Sequence, residues 1–212
     1  MQKKTKINWV LDPGKCLSKV DAVMLIRTAK LSAEKALLKG YRIAYRDYFV
    51  INLALSTGLR VMEIAQLNYS DLFLEDKPFF ILVRNGKGNK SRLVQISQQF
   101  KKHCLQYLSW KESIGESIEP SAPLILSSNT KGHMSTRVLQ NVFKKVAAKA
   151  DLAPNYSIHC LRHTYACMLY KASNYNLRLV QKQLGHASIK TTQVYADVMA
   201  PDMTKAVEKL WE

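Results

Sequence analysis

The stretch PFFILVRNGKGNKSRLVQI, residues 78–96, breaks the rhythm of a chain that otherwise reads as helix. PFFILVR and SRLVQI are rich in β-formers, and the NGKGNK between them is a turn signal. Two such runs, so closely spaced, pair as an antiparallel hairpin, because a parallel pair needs a crossover of about a dozen residues or more. The fold must therefore hold a small antiparallel sheet inside a helical frame. PLILS, residues 123–127, reads as a third short strand.

On both sides of the hairpin the apolar period is helical. SKVD begins a capping pattern at Ser18, with Asp21 in the acidic position, and a helix follows to a stop at Gly40. YRIAYRDYFVINLALST is a strongly apolar helix that stops at Gly58. RVMEIAQLN is a short helix with Val61, Ile64, Ala65 and Leu67 on one face and Arg60 and Glu63 one turn apart. Residues 98–112 are helical, and IGESIEPSAP is a loop. STRVLQNVFKKVAAKA, from Ser135, turns Val138, Leu139, Val142, Phe143 and Val146 inward. Three more helices follow: one starting at Ser157, one ending at Gly185 and one starting at Ser188. The expected fold class is mainly α with a small antiparallel β-sheet (α+β). A length of 212 residues suits one large domain with appendages.

Charge narrows the partner. Lys and Arg number 32 against 16 Asp and Glu, a formal net charge of +16, which predicts a polyanion and most often nucleic acid. No apolar run is long enough for a transmembrane helix, and the basic N-terminus MQKKTKINWV has no apolar signal core. The expected location is cytoplasmic, associated with the nucleoid, with no membrane partner. Cys16, Cys104, Cys160 and Cys167 are scattered without a CxxC pair and read as free thiols.

SIHCLRHTYA, residues 157–166, has zinc-like chemistry without zinc geometry. Neighbouring helical residues point about 100° apart, so His159 and Cys160 cannot share an ion. His159 and His163 do share a face, but there is no Glu between them and no third ligand nearby. His159 and Arg162 also share a face, and a proton-transfer group beside a fixed cation suits a phosphate. GKGNKS is no P-loop, since Asn89 stands where the glycine before Lys90 would be. His163 reads as a hydrogen-bonded packing residue.

Five motifs occur in order: TGLR with Arg60 and, one turn on, Glu63; GKGNK with Lys87; HCLRH with His159 and Arg162; LGH with His186; and TTQVYA with Tyr195. In this order the chain closely resembles the tyrosine recombinases, or phage integrase family, from about residue 18 to about residue 200. The resemblance implies a tyrosine recombinase catalytic-domain-like fold. It also implies cutting and rejoining of DNA strands through a 3′-phosphotyrosyl bond. Tyr195 would be the nucleophile, and its phenol, with a pKa near 10, costs roughly 4 kcal/mol to ionise at neutral pH. Arg60, Arg162 and His186 would hold the non-bridging phosphate oxygens. His159 would be the base and Lys87 the general acid for the leaving 5′-oxygen. Glu63 would support the site. No cofactor and no metal are implied.

The implied partner is double-stranded DNA, held largely through phosphates and hence salt-sensitive. The expected assembly is a homotetramer on paired DNA sites, with accessory DNA-bending proteins. The organisation is a basic arm over 1–17, the catalytic domain over 18–200 and a C-terminal tail over 201–212. Most family members carry an N-terminal clamp domain, and the short stretch before Ser18 leaves a fragment and a natural short form both open. In the tail, Met203, Val207, Leu210 and Trp211 suit a helix that docks on a neighbouring protomer or folds back on its own core. Two alternatives remain: a DNA-binding accessory protein on the same fold, unable to recombine alone, and strand relaxation of the type IB topoisomerase kind.

Overall fold

The computed structural model describes residues 15–84 and 91–198. Lys87, most of the arm and the 201–212 tail lie outside the described residues. Among the described residues, eight helices and three strands run in the order α1 (Lys19–Leu37), α2 (Ile43–Thr57), α3 (Val61–Ala65), β1 (Leu72–Phe73), β2 (Phe80–Val83), β3 (Arg92–Gln95), α4 (Gln98–Ser113), α5 (Thr136–Lys149), α6 (His159–Ala172), α7 (Leu177–Leu184) and α8 (Lys190–Val198). The fold is mainly helical with one small antiparallel sheet of order β1-β2-β3.

The centre is α2. A helix apolar on nearly every side must be buried on nearly every side, and Phe49, Val50, Ile51, Leu53 and Ala54 are all inaccessible or nearly so. Around it pack α1, α4, α5 and α6. Phe49 stacks on Tyr107 of α4 with ring centroids 3.7 Å apart. In the sheet, Ile81 pairs with Val94, and both side chains point into the core.

A second, smaller cluster lies apart from this core. It holds Ala166, Cys167 and Tyr170 of α6, Val180 and Leu184 of α7, and Tyr195 of α8.

Three expectations need correction. The third strand is Leu72–Phe73, in register with Ile81 and Phe80, whereas PLILS makes only isolated bridges, Asn68 to Pro123 and Leu126 to His133. Its Leu124 and Ile125 are buried, so the apolar run that looked like a strand is core filler in a loop. Val138 is 42% exposed: it sits on the rim of the α5 stripe, while Leu139, Val142, Phe143 and Val146 face inward. Helix α6 begins at His159 behind Ile158, with no side-chain cap, rather than being capped by Ser157.

Candidate active site

Two glycines end helices just before candidate residues. Gly58 closes α2 at φ 62° and Gly185 closes α7 at φ 65°, both left-handed. Each is also hemmed in, since a Cβ on Gly58 would collide with the Tyr165 ring and one on Gly185 with the Arg92 side chain. Glycine alone meets both demands. These stops release the chain toward Arg60 and His186.

Arg162 joins the two stops. Its Nη1 donates to the Gly58 carbonyl at 2.6 Å and its Nη2 to the Leu184 carbonyl at 2.9 Å. One guanidinium thus fixes the loop that carries Arg60 against the loop that carries His186. A guanidinium has further N–H donors to spare for a ligand. Arg162 is only 7% exposed, and burial, then the charge of Arg60, brings its pKa down to about 10. It stays a cation at neutral pH.

Glu63 is the hub on the other side. Its carboxylate accepts the Arg60 backbone N–H at 2.8 Å and Arg60 Nη1 at 2.8 Å. It also accepts Arg92 Nη1 at 2.8 Å and Nη2 at 2.9 Å, a two-pronged pairing. Burial pushes the carboxyl pKa up, but the hydrogen bonds and charge of Arg92, then those from Arg60, outweigh it and hold it at about 2. A buried carboxylate without such partners would be costly. Arg60 itself keeps 29% of its side chain in solvent, where a phosphate can reach it. In the sequence Arg92 is marked only as a residue of the hairpin run SRLVQI. Its partner lies 29 positions away, so no local pattern marks it.

His186 is held by Thr192, whose Oγ1 lies 2.9 Å from His186 Nδ1. Burial, then the charge of Arg162, lowers the His186 pKa to about 4. The ring is therefore neutral at pH 7. Thr192 lies one turn before Tyr195 on α8, an i, i+3 spacing that TTQVYA already contained.

Tyr195 is 2% exposed. Its hydroxyl lies 3.1 Å from His163 Nδ1, and its ring is nearly parallel to that of His186 with centroids 6.3 Å apart. Burial raises its pKa to about 12, although Arg162 and Arg60 pull it the other way. The His163 pKa is lowered by burial and then by Arg162, so the imidazole is neutral at pH 7 and can share a hydrogen bond with the phenol. His159, the expected base, is exposed at the first residue of α6. The histidine on the phenol is His163, which the sequence marks as a hydrogen-bonded packing residue without naming its partner.

The structure thus gathers Arg60, Glu63, Arg162, His186 and Tyr195 from four separate helical segments. Among the described residues, three cations, Arg60, Arg92 and Arg162, share the site with one carboxylate, Glu63. That excess of positive charge suits an anion such as a phosphate.

The model of the phage integrase family matches residues 30–201. Tyrosine recombinase XerC of Caldanaerobacter subterraneus subsp. tengcongensis is 37% identical over 165 residues, which cover 77% of this chain and 44% of that protein. Tyrosine recombinase XerD of Brucella suis biovar 1 is 34% identical over 197 residues, 92% of this chain and 62% of that protein. The chain thus spans 44% and 62% of the lengths of these two relatives. Among solved structures, XerA recombinase superposes with a TM-score of 0.69 at 27% identity, over 91% of this chain and 63% of that one. A XerH site-specific recombinase bound to its difH substrate shares the fold at a TM-score of 0.72 and 24% identity, over 93% and 55%. The chain belongs to the phage integrase family.

Proposed function

We propose that this domain cuts and rejoins double-stranded DNA as part of a site-specific recombinase, with Tyr195 as the nucleophile. The observation that carries the reading is Arg162, which ties the Gly58 and Leu184 carbonyls together and so holds the loop carrying Arg60 against the loop carrying His186, whose ring lies beside that of Tyr195. The named relatives are tyrosine recombinases, and the net charge of +16 fits a DNA partner.

The chemistry follows from the residues. The Tyr195 oxygen attacks the phosphorus in line, forming the P–O bond of a 3′-phosphotyrosine, and the 5′-oxygen leaves. Charge gathers on the non-bridging oxygens, where Arg60 and Arg162 donate and His186 offers its Nε2 proton. The Thr192 hydroxyl, donating to Nδ1, selects that tautomer. Glu63, held by Arg92, keeps Arg60 in place and takes no proton. Lys87 protonates the leaving oxygen. His159 takes the phenol proton once DNA is bound. The reverse reaction with a new 5′-hydroxyl reseals the strand, so no nucleotide is consumed.

At rest the phenol is buried and faces His163, so Tyr195 must leave this position to meet a phosphate. Residues 18–200 form the catalytic unit, acting in a tetramer on paired sites with accessory DNA-bending proteins, and the 201–212 tail docks on a neighbouring protomer.

The test is covalent trapping on a nicked duplex that loses its 5′-hydroxyl fragment after cleavage. The expected result is a denaturation-resistant protein–DNA band that Tyr195→Phe eliminates. Intact DNA binding without any band would favour the accessory-protein reading instead.

A further inference from the structure

The segment entering α1 crosses the helix that carries Arg162. The Leu17 N–H donates to Thr164 Oγ1 at 2.8 Å, and Leu17 is buried in the main core. Next to it, the Cys16 Sγ lies 3.5 Å from the Sγ of Cys167, two thiols 151 positions apart in sequence. Cys167 is buried, whereas Cys16 is half-buried and open to a small reagent. On α6, His163, Cys167 and Tyr170 follow at i, i+4 and i+7 and so share one face. His163 touches the Tyr195 hydroxyl, and Cys167 and Tyr170 pack in the same buried cluster as Tyr195, with Cys16 against its edge.

We propose that Cys16 and Cys167 form a site of reversible oxidation, whose disulfide ties the entry segment to α6 and suppresses strand cleavage by Tyr195. The inference rests on the reading of Tyr195 as nucleophile. Bond formation needs the sulfurs to close from 3.5 Å to about 2.05 Å, a small shift for a half-buried side chain.

Hydrogen peroxide is the oxidant. The Cys16 thiolate attacks the O–O bond, gains a hydroxyl as sulfenic acid and releases hydroxide, which takes up a proton to become water. The Cys167 sulfur then displaces that hydroxyl. The S–S bond forms, the S–OH bond breaks, and the Cys167 proton leaves with the hydroxyl as a second water. Two thiols lose two electrons and the peroxide gains them. A dithiol reverses the step by exchange.

The thiols are suited to these parts. The hydrogen bond from Cys167 lowers the Cys16 pKa, with burial opposing it, and the same contact raises that of Cys167. Burial pushes Cys104 and Cys160 up to about 12, which keeps them inert. The consequence for the nucleophile follows from packing. Tyr195 must leave the small cluster to reach a phosphate, and a covalent tie within that cluster stiffens what it must leave.

The experiment treats the whole chain with hydrogen peroxide, maps disulfides by mass spectrometry, and repeats the covalent DNA trapping before oxidation, after it and after dithiothreitol. The proposal expects a peptide linking Cys16 to Cys167, a loss of DNA linkage of about tenfold or more, recovery on reduction, and a Cys16→Ser protein that keeps its linkage in peroxide. Oxidation of Cys16 to the sulfinic acid with no cross-link overturns it. A cross-link that leaves DNA linkage unchanged overturns the control of cleavage. A reduced protein that forms no DNA band overturns the nucleophile reading, while the mapped cross-link still upholds the oxidation site.

Discussion

The two halves of the candidate site are held by opposite means. Arg60, Glu63 and Arg92 are locked by short charged hydrogen bonds on the wall of the large core. Tyr195 is held by apolar packing in a small separate cluster and by one neutral hydrogen bond to His163. Groups that stabilise charge in a transition state act best when they need no rearrangement. If Tyr195 is the nucleophile proposed above, its pKa near 12 makes ionisation at pH 7 cost roughly 7 kcal/mol where it sits, and on that reading its resting place is not its reacting place. On the proposed reading, the rigid half serves the transition state and the packed half stores the nucleophile.

The largest expected effect isolates the stored half. Tyr195→Phe should lower covalent DNA linkage by about a thousandfold or more, to the limit of detection, because the proposed bond forms at the phenol oxygen. It should change unfolding free energy by only about 1 kcal/mol, the worth of one hydrogen bond. A urea melt beside the trapping assay checks both. A large loss of stability would make the phenol structural and end the contrast.

On the rigid half the balance reverses. Glu63→Ala leaves Arg60 and Arg92 without their carboxylate and should cost about 3–5 kcal/mol of stability, the usual penalty for breaking a buried pair. DNA linkage falls with it, since Arg60 loses its anchor. Denaturant midpoints measure the first effect and single-turnover trapping the second. A midpoint close to that of the parent protein would show that the network is not what fixes this wall.

A smaller perturbation reaches the same network from the other loop. Gly185→Ala puts a methyl group into the Arg92 side chain at a left-handed φ of 65°. The expected cost is about 1–3 kcal/mol from strain and overpacking, with a further drop in DNA linkage as Arg92 is pushed off Glu63. Changing both Glu63 and Gly185 should then cost less than the sum of the two, because both act through Arg92. Strict additivity would show that Gly185 matters only for its own turn.

What the sequence displayed and what it hid divide by the range of the contacts. The helices ending at Gly58 and Gly185 and the hairpin flanks were legible because their signals are local, one residue or one turn long. Arg60, Arg162, His186 and Tyr195 were legible only as a set of motifs in order. Leu72–Phe73 was missed because a two-residue strand exists only through its register with β2. PLILS was misread because burial of Leu124 and Ile125 looks the same in a strand and in a buried loop. Arg92 and His163 were hidden for a further reason. Their partners lie 29 and 32 positions away, and nothing near them in the chain tells a charged strand residue or a helical histidine what it will meet.

The smallest effect tests both halves by acid. His186, beside the stored phenol, and His103, buried among the aromatic rings of the main core, both have pKa values lowered to about 4, chiefly by burial. An unfolded histidine titrates near 6.5, so below that pH the unfolded chain binds more protons than the native one. Stability therefore falls as pH drops from about 6.5 toward 4. Glu63 acts in a lower window. Its folded pKa of about 2 lies below its ordinary value of 4.5, so its contribution is whole above 4.5 and is lost as pH falls toward 2. Urea midpoints at pH 7 and pH 5 for the parent, His186→Asn and His103→Gln proteins separate the histidines while Glu63 stays ionised. Each variant should lose less on acidification than the parent does, and by similar amounts, since both rings have pKa values lowered to about 4. Equal losses in His186→Asn and the parent would mean that the small cluster opens enough to let the His186 ring take a proton without unfolding, and the stored half would then be looser than its packing implies.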